Sequence, residues 1–207
     1  MKKIFNVLVI FILIGTVCFA SIRFSDVSDS YWGAEVIYKL ADAGVINGYD
    51  DGTYKPLKSV TYGEFIKLVI ATFVPGEIDN SSITTDFEHW AAPYVKLAEL
   101  YGIIDEGWIS KENIDNYITR IEMARIVSMA DLVLNENEFD NSKELDFSDV
   151  YGVLGKDRTL LQHAYSSGLV LGNPNGTFRP NAEMNRAEAA TIIDRLANQE
   201  VENEEIS

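Results

Sequence analysis

The feature that most constrains this chain is an internal repeat in which a glycine is followed, at the same interval each time, by a glutamate. The pairs are Gly44 and Glu64, Gly102 and Glu122, and Gly168 and Glu188. Three equal intervals indicate three copies of one structural unit, because a fixed period is the mark of repeat architectures. The second and third glycines are further apart than the first and second, and the difference falls in connectors around residues 75–86 and 135–146.

Each repeat is predicted to contain two helices, the first of which lies before the glycine. Apolar residues recur there at the spacing of one helical face. They are Val36, Ile37, Leu40 and Ala41; Tyr94, Val95 and Ala98; and Leu160, Leu161, Ala164 and Tyr165. The glycine that follows stands where a helix C-terminus favours the left-handed conformation, so we interpret it as a cap rather than a ligand contact.

The second helix of each repeat is predicted to begin with a capping box. Its N-cap is Thr61, Thr119 or Asn185, and each of these is followed three residues later by a glutamate. We therefore interpret these glutamates as caps rather than as catalytic acids. An apolar residue before each cap and another at the fourth helical position form a hydrophobic staple. The staple pairs are Val60 with Phe65, Ile118 with Met123, and Met184 with Ala189.

The segment between the two helices is punctuated by glycine in two of the repeats. Residues 48–56 read Gly-Tyr-Asp-Asp-Gly-Thr-Tyr-Lys-Pro, and residues 172–180 read Gly-Asn-Pro-Asn-Gly-Thr-Phe-Arg-Pro. Each predicts a turn followed by a short extended piece. Repeat two departs from this pattern, because residues 105–109 read Asp-Glu-Gly-Trp-Ile.

These motifs resemble the repeats of the S-layer homology family. The family repeat opens with Phe-x-Asp-Val, which residues 24–27 and 147–150 reproduce. It closes with Ile-Thr-Arg-Ala-Glu, which residues 118–122 and 184–188 follow with few changes. Between these motifs come a tryptophan, Gly-Ile-Ile and Gly-Tyr-x-Asp-Gly-Thr-Phe-x-Pro. The resemblance covers about residues 24–197.

The resemblance implies a mainly α fold. Three helix-turn-helix repeats then form a pseudo-threefold trefoil around a central three-helix bundle, with short extended segments. The repeats are residues 24–75, 86–135 and 147–197, and an acidic tail follows at 198–207. In this family, grooves between neighbouring repeats bind wall polymer.

The same resemblance implies non-catalytic attachment to the cell envelope through an acidic secondary cell-wall polysaccharide, often one bearing pyruvate ketals. In the family, the arginine of the closing motif binds the anion, so the resemblance implies that Arg120 and Arg186 are candidate glycan-binding residues. Each follows an N-cap, where the helix dipole disfavours a cation by about 0.3–1 kcal/mol. Free helix N–H groups together with a guanidinium would form an anion site. The alternative is that both arginines pair with nearby acids, Glu122 and Glu188 included.

Two positions depart from the family pattern in ways that bear on the grooves. Repeat one has Tyr62 at the arginine position, followed by Gly63 where the family has alanine. Repeat three has Lys156 in the tryptophan register. We therefore expect the groove built on Tyr62 to lack its anion anchor.

Four further residues are candidates for glycan binding. Trp32 and Trp90 are placed to stack on sugar rings, or else to form the half-buried edge of the core. Lys55 and Arg179 precede prolines in the turns, where they supply a second charge to a groove or remain solvated cations.

Composition excludes several other classes of protein. The chain has 207 residues, of which 47% are hydrophobic and 24% charged, as in globular proteins. A net charge of −15 disfavours nucleic acid and anionic membrane surfaces as partners. His89 and His163 have no partner at metal-ligand spacing, and Asp50-Asp51-Gly52 lacks the alternating ligands of a calcium loop. No catalytic constellation stands out, so we expect no enzymatic activity, metal or cofactor.

Residues 1–20 match a bacterial signal peptide, with two lysines followed by an apolar stretch at 4–17. We expect cleavage after Ala20, which gives a secreted protein of the cell envelope with no membrane span. A retained anchor helix is disfavoured, because about 14 apolar residues fall short of the roughly 20 that span a bilayer. Lipidation of Cys18 is disfavoured because the preceding Val17 is bulky. After cleavage no cysteine remains for disulfide or thiol chemistry.

A competing hypothesis is a structural module of the same fold that binds another envelope protein or itself and has degenerate glycan sites. Family members usually carry cargo beyond their repeats. Here only the predicted acidic tail follows repeat three, which favours a partner in trans.

Overall fold

The computed structural model describes residues 22–73 and 83–204. The predicted signal peptide and most of the first connector lie outside these residues. The described chain is mainly α, as predicted, with isolated bridges in place of regular strands. Its six helices are α1 (Ala34–Asp42), α2 (Tyr62–Phe73), α3 (Ala92–Leu100), α4 (Arg120–Leu134), α5 (Gly155–Ser166) and α6 (Arg186–Glu204). Helix α6 thus continues into the segment predicted as an acidic tail.

The predicted capping boxes are confirmed. Helices α2, α4 and α6 each begin one residue after the predicted N-cap. In the first box, the Thr61 N–H donates to Glu64 Oε2 at 3.0 Å and the Glu64 N–H donates to Thr61 Oγ1 at 3.2 Å. Asn185 and Glu188 exchange the same two bonds at 3.0 and 2.9 Å. Two otherwise unpaired N–H groups are satisfied at each helix start.

The glycine caps of the first helices are also confirmed. Gly44, Gly102 and Gly168 have φ angles of +75°, +74° and +77°, in the left-handed region that favours glycine. The chain then turns back, and an apolar residue after each glycine is buried: Ile46, Ile103 and Leu169.

Three staple residues also join the repeats into a ring. The Val60 N–H donates to the Met184 carbonyl at 2.9 Å, the Ile118 N–H to the Val60 carbonyl at 2.9 Å, and the Met184 N–H to the Ile118 carbonyl at 3.1 Å. All three side chains are buried. The ring has one member from each repeat, which is consistent with a pseudo-threefold trefoil.

Helices α2, α4 and α6 contact one another in every pair and form the central three-helix bundle. Their apolar stripes are buried in the core, as Ile66, Ile126 and Ile193 illustrate. The outer helices pack across repeats: α1 lies against α6, α3 against α2, and α5 against α4. Each first helix therefore covers the second helix of the preceding repeat, with repeat one closing onto repeat three. This exchange places the grooves between repeats.

Candidate functional site

The arginine of repeat three lines a cavity of about 180 Å³, here called groove one. All three repeats contribute to it. The lining residues are Val45, Ile46, Asn47, Tyr54, Val60, Glu64, Lys67, Leu68, Trp90 and Arg186.

Within groove one, Arg186 is held by backbone carbonyls. Its Nε donates to the Tyr54 carbonyl oxygen at 2.8 Å, and its Nη2 donates to the Asn47 carbonyl oxygen at 2.9 Å. The guanidinium carbon lies 4.4 Å from the centre of the Tyr54 ring, a cation–π distance. No carboxylate of the described residues forms an ion pair with Arg186, so protein groups orient its charge without neutralising it.

The arginine of repeat two lines the equivalent cavity, groove two, of about 200 Å³. The lining residues are Trp32, Arg120, Val170, Leu171, Gly172, Asn173, Glu188, Thr191, Ile192 and Arg195. As in groove one, three different repeats contribute. Repeat two supplies the arginine, repeat three supplies its second helix, and repeat one supplies the tryptophan.

Arg120 is in a different electrostatic state from Arg186. Its Nε donates to the Phe178 carbonyl oxygen at 2.8 Å, but its Nη1 lies 3.4 Å from Glu188 Oε1. Only 9% of the residue is exposed, and this burial lowers the pKa of Arg120, an effect that Glu188 opposes. The predicted alternative of pairing with an acid therefore describes Arg120, with Glu188 as the partner.

The predicted use of free helix N–H groups beside the arginines is wrong. The Arg186 and Ala187 N–H groups donate to the carbonyls of Lys58 and Pro56, both at 3.0 Å. At α4, the first two N–H groups likewise donate to repeat-three carbonyls. The neighbouring repeat supplies these acceptors, so neither helix start offers free N–H groups to an anion in its groove.

Both candidate tryptophans lie at the grooves. Trp90 lines groove one with 52% of its surface exposed, and Trp32 lines groove two with 62% exposed. Each ring contacts an aromatic neighbour, since Trp32 lies 5.6 Å from Tyr31 and Trp90 lies 5.4 Å from His89, measured between ring centres. Each tryptophan is therefore more than half exposed rather than packed in the core.

Lys55 and Arg179 lie on the turns beside the grooves, and neither belongs to the lining of groove one or groove two. Both have the left-handed backbone conformation, with φ of 57° and 60°. The aspartate of the opening motif holds each turn: Asp26 accepts the Tyr54 and Lys55 N–H groups, and Asp149 accepts those of Phe178 and Arg179, at 2.7–2.8 Å. The Lys55 ammonium pairs with Asp51 at 3.1 Å.

Sequence reasoning missed two cations that line the grooves. Lys67 lies in groove one, three residues after Glu64, and Arg195 lies in groove two, seven residues after Glu188. Residues at these spacings share a helix face with the capping glutamate. A search along that face for basic residues finds both.

A family profile described as S-layer homology domain matches residues 23–66 and 146–190, which overlap the predicted repeats one and three. An amylopullulanase of Thermoanaerobacterium thermosulfurigenes is 32% identical over 173 residues, covering 82% of this chain but 9% of that protein. The chain contains S-layer homology domains. Repeat two lies between the matched segments and lacks the Gly-Thr-aromatic-basic-Pro run.

Other S-layer homology relatives have names that refer to the cell surface. The S-layer protein of Bacillus licheniformis is 27% identical over 87% of this chain, and the chain covers 20% of it. The cellulosome-anchoring protein of Acetivibrio thermocellus is 27% identical over 74% of this chain, and the chain covers 35% of it. The chain thus spans a minor part of each relative. These relatives support association with the cell envelope.

None of the helices in residues 22–73 and 83–204 combines the length and apolar character needed to cross a bilayer.

Proposed function

We propose that this protein attaches non-covalently and without catalysis to the cell wall, by binding an acidic wall polysaccharide in groove one and groove two. The observation that carries the proposal is Arg186, whose guanidinium is oriented by two carbonyls and is neutralised by no described carboxylate. Relatives named for S layers and for anchoring support attachment to the cell surface.

The proposed ligand chemistry follows from the groups in the grooves. A guanidinium binds a carboxylate through two parallel hydrogen bonds, which suits a pyruvate ketal or a uronic acid. The exposed indoles of Trp90 and Trp32 offer flat apolar faces to a sugar ring. Cavities of about 180 and 200 Å³ are smaller than the roughly 300–1,000 Å³ of drug-sized pockets, so each suits a single sugar residue of a longer polymer.

Sedimentation with purified wall sacculi tests the proposal. The protein is mixed with sacculi that retain the secondary polymer and with sacculi from which it has been removed. We expect the protein to sediment only with the first. The double variant Arg120→Ala with Arg186→Ala should remain in the supernatant.

The matched control is Lys111→Ala with Lys143→Ala, which removes the same charge from exposed positions outside both grooves. It should sediment like the unmodified protein. Unchanged sedimentation of the arginine variant would refute glycan binding at the grooves. Sedimentation that survives removal of the polymer would instead support the competing hypothesis of a protein partner.

A further inference from the structure

The third contact between repeats, built around Tyr62, has its own cation pair. Tyr62 and Lys156 occupy the positions that hold arginine and tryptophan in the other two grooves. Arg125 occupies on α4 the repeat position that Lys67 of groove one occupies on α2. Its guanidinium carbon is 4.1 Å from the centre of the Trp108 ring. We call this cluster, with Asp105, the third groove.

A carboxylate of the chain already lies between the two cations. Asp105 Oδ1 accepts from the Lys156 ammonium at 2.7 Å, and Asp105 Oδ2 accepts from Arg125 Nη2. A second acid, Asp157, is further away, at 3.7 Å from Arg125 Nη1. Both oxygens of Asp105 are therefore bound by a cation, one by a guanidinium that is stacked on an indole.

The other two grooves have no acid at this position. When the repeats are aligned on their glycine and glutamate pairs, Asn47 is the equivalent of Asp105 in groove one, and Leu171 is its equivalent in groove two. The Asn47 side chain carries no charge, and its backbone carbonyl accepts from Arg186. An acid at this position, with cations at two others, distinguishes the third groove.

We propose that the third groove is an anion site filled by the chain's own Asp105, so that it binds no external carboxylate until that side chain is removed. The inference rests on the proposed function for its ligand class, carboxylate-bearing sugars, but it depends on different residues. In the native chain Asp105 links repeat two to repeat three. External glycan then binds in groove one and groove two.

The cluster is exposed enough to be opened without unfolding the protein. Half of the Asp105 side chain, 55%, is accessible, as is 49% of that of Lys156. Exposed ion pairs contribute little to stability, because solvent screens them. The hydrogen bond from Lys156 lowers the pKa of Asp105, which stays ionised at neutral pH.

Titration with sodium pyruvate tests the inference. The background is Arg120→Ala with Arg186→Ala, which removes the guanidinium from groove one and groove two. The indole N–H signal of Trp108 in a ¹H–¹⁵N NMR spectrum reports binding, and Trp32 and Trp90 serve as internal references. Adding Asp105→Ala to this background should produce a saturable shift of the Trp108 signal.

The matched control is Glu106→Ala in the same background, which removes the neighbouring exposed acid. It should give no saturable shift, and Arg125→Ala combined with Asp105→Ala should abolish the shift. Absence of a saturable shift in a folded Asp105→Ala protein, or an equal shift with Glu106→Ala, overturns the inference. Asp105→Asn, which keeps the size of the side chain, provides the same test if Asp105→Ala does not fold.

The two proposals fail separately in these experiments. Wall binding is measured with Asp105 present, whereas the pyruvate titration is measured with both groove arginines absent. Loss of either result leaves the other interpretable.

Discussion

Groove one and groove two each combine an arginine at the first position of one helix with the capping glutamate of another helix. Their arginines are nevertheless in different electrostatic states. Lys58 lies 3.7 Å from Glu64 in groove one, and its equivalent in groove two is Ala182. Without a lysine to attract it, Glu188 lies 3.4 Å from Arg120. We infer that a residue outside the family motif determines how far the motif arginine is neutralised, and we expect groove one to bind anions more tightly.

The largest expected effect is the loss caused by Arg186→Ala. A hydrogen bond to a charged group contributes about 1.5–3 kcal/mol, so the affinity for purified wall polymer should fall about tenfold to a hundredfold. Arg120→Ala should cause a smaller loss, because Glu188 already neutralises part of that charge. Isothermal titration calorimetry measures both, with Lys111→Ala as the control. Equal losses in the two arginine variants would contradict the difference between the grooves.

The tryptophans should contribute equally. Trp90 and Trp32 are similarly exposed, so replacing either with alanine removes a comparable stacking surface. We expect each change to weaken binding by about 1 kcal/mol in the same calorimetric experiment. Tyr151→Ala, which removes an exposed ring outside both grooves, is the control. A marked difference between the two tryptophan variants would mean that stacking, and not charge alone, separates the grooves.

Glu188→Gln should strengthen groove two. Glutamine preserves the capping box, so α6 still begins at Arg186, but the ion pair with Arg120 is lost. Freed from its partner, Arg120 should bind the polymer more tightly by about 0.5–1 kcal/mol. Titration of the Arg186→Ala protein, in which groove one is silent, isolates this gain. Glu64→Gln in the Arg120→Ala protein is the control, and it should change the affinity little, since Glu64 lies near Lys58. A fall in affinity for Glu188→Gln would show instead that the Glu188 charge assists binding.

Exchange of the distinguishing lysine should have the smallest effect. Ala182→Lys should draw Glu188 away from Arg120, and Lys58→Ala should leave Glu64 free to approach Arg186. We expect the binding free energy for the polymer to change by about 0.5 kcal/mol. Ala182→Lys in the Arg186→Ala protein should strengthen binding in groove two, and Lys58→Ala in the Arg120→Ala protein should weaken binding in groove one. Both substitutions leave the backbone carbonyls that accept the helix N–H groups in place. Shifts of the same sign in both grooves would indicate a general charge effect instead.

The sequence was sufficient for the features that depend on a few neighbouring residues. The left-handed glycines, the capping boxes and the arginine at the first helical position are recognisable because their interactions span three or four residues. The apolar stripes likewise identified which helix faces are buried. The tryptophans at the grooves and the silent position of Tyr62 came from the family resemblance, and the roles of these groove residues remain predictions.

The tertiary structure decided which repeats contact one another, and therefore which partner each of these helices and side chains has. The stripe on α1 specifies burial but not α6 as its partner, because hydrophobic contact is not directional. The helix N–H groups expected to bind an anion are satisfied by carbonyls of a neighbouring repeat, and the partners of Glu188 and Asp105 are likewise distant in the chain. Such pairings depend on the closure of the ring of repeats. By itself, the sequence determined three capped repeats and an arginine at the start of the second helix in two of them. Only the folded ring decided which arginine is paired with a carboxylate, which is not, and which groove holds its own carboxylate.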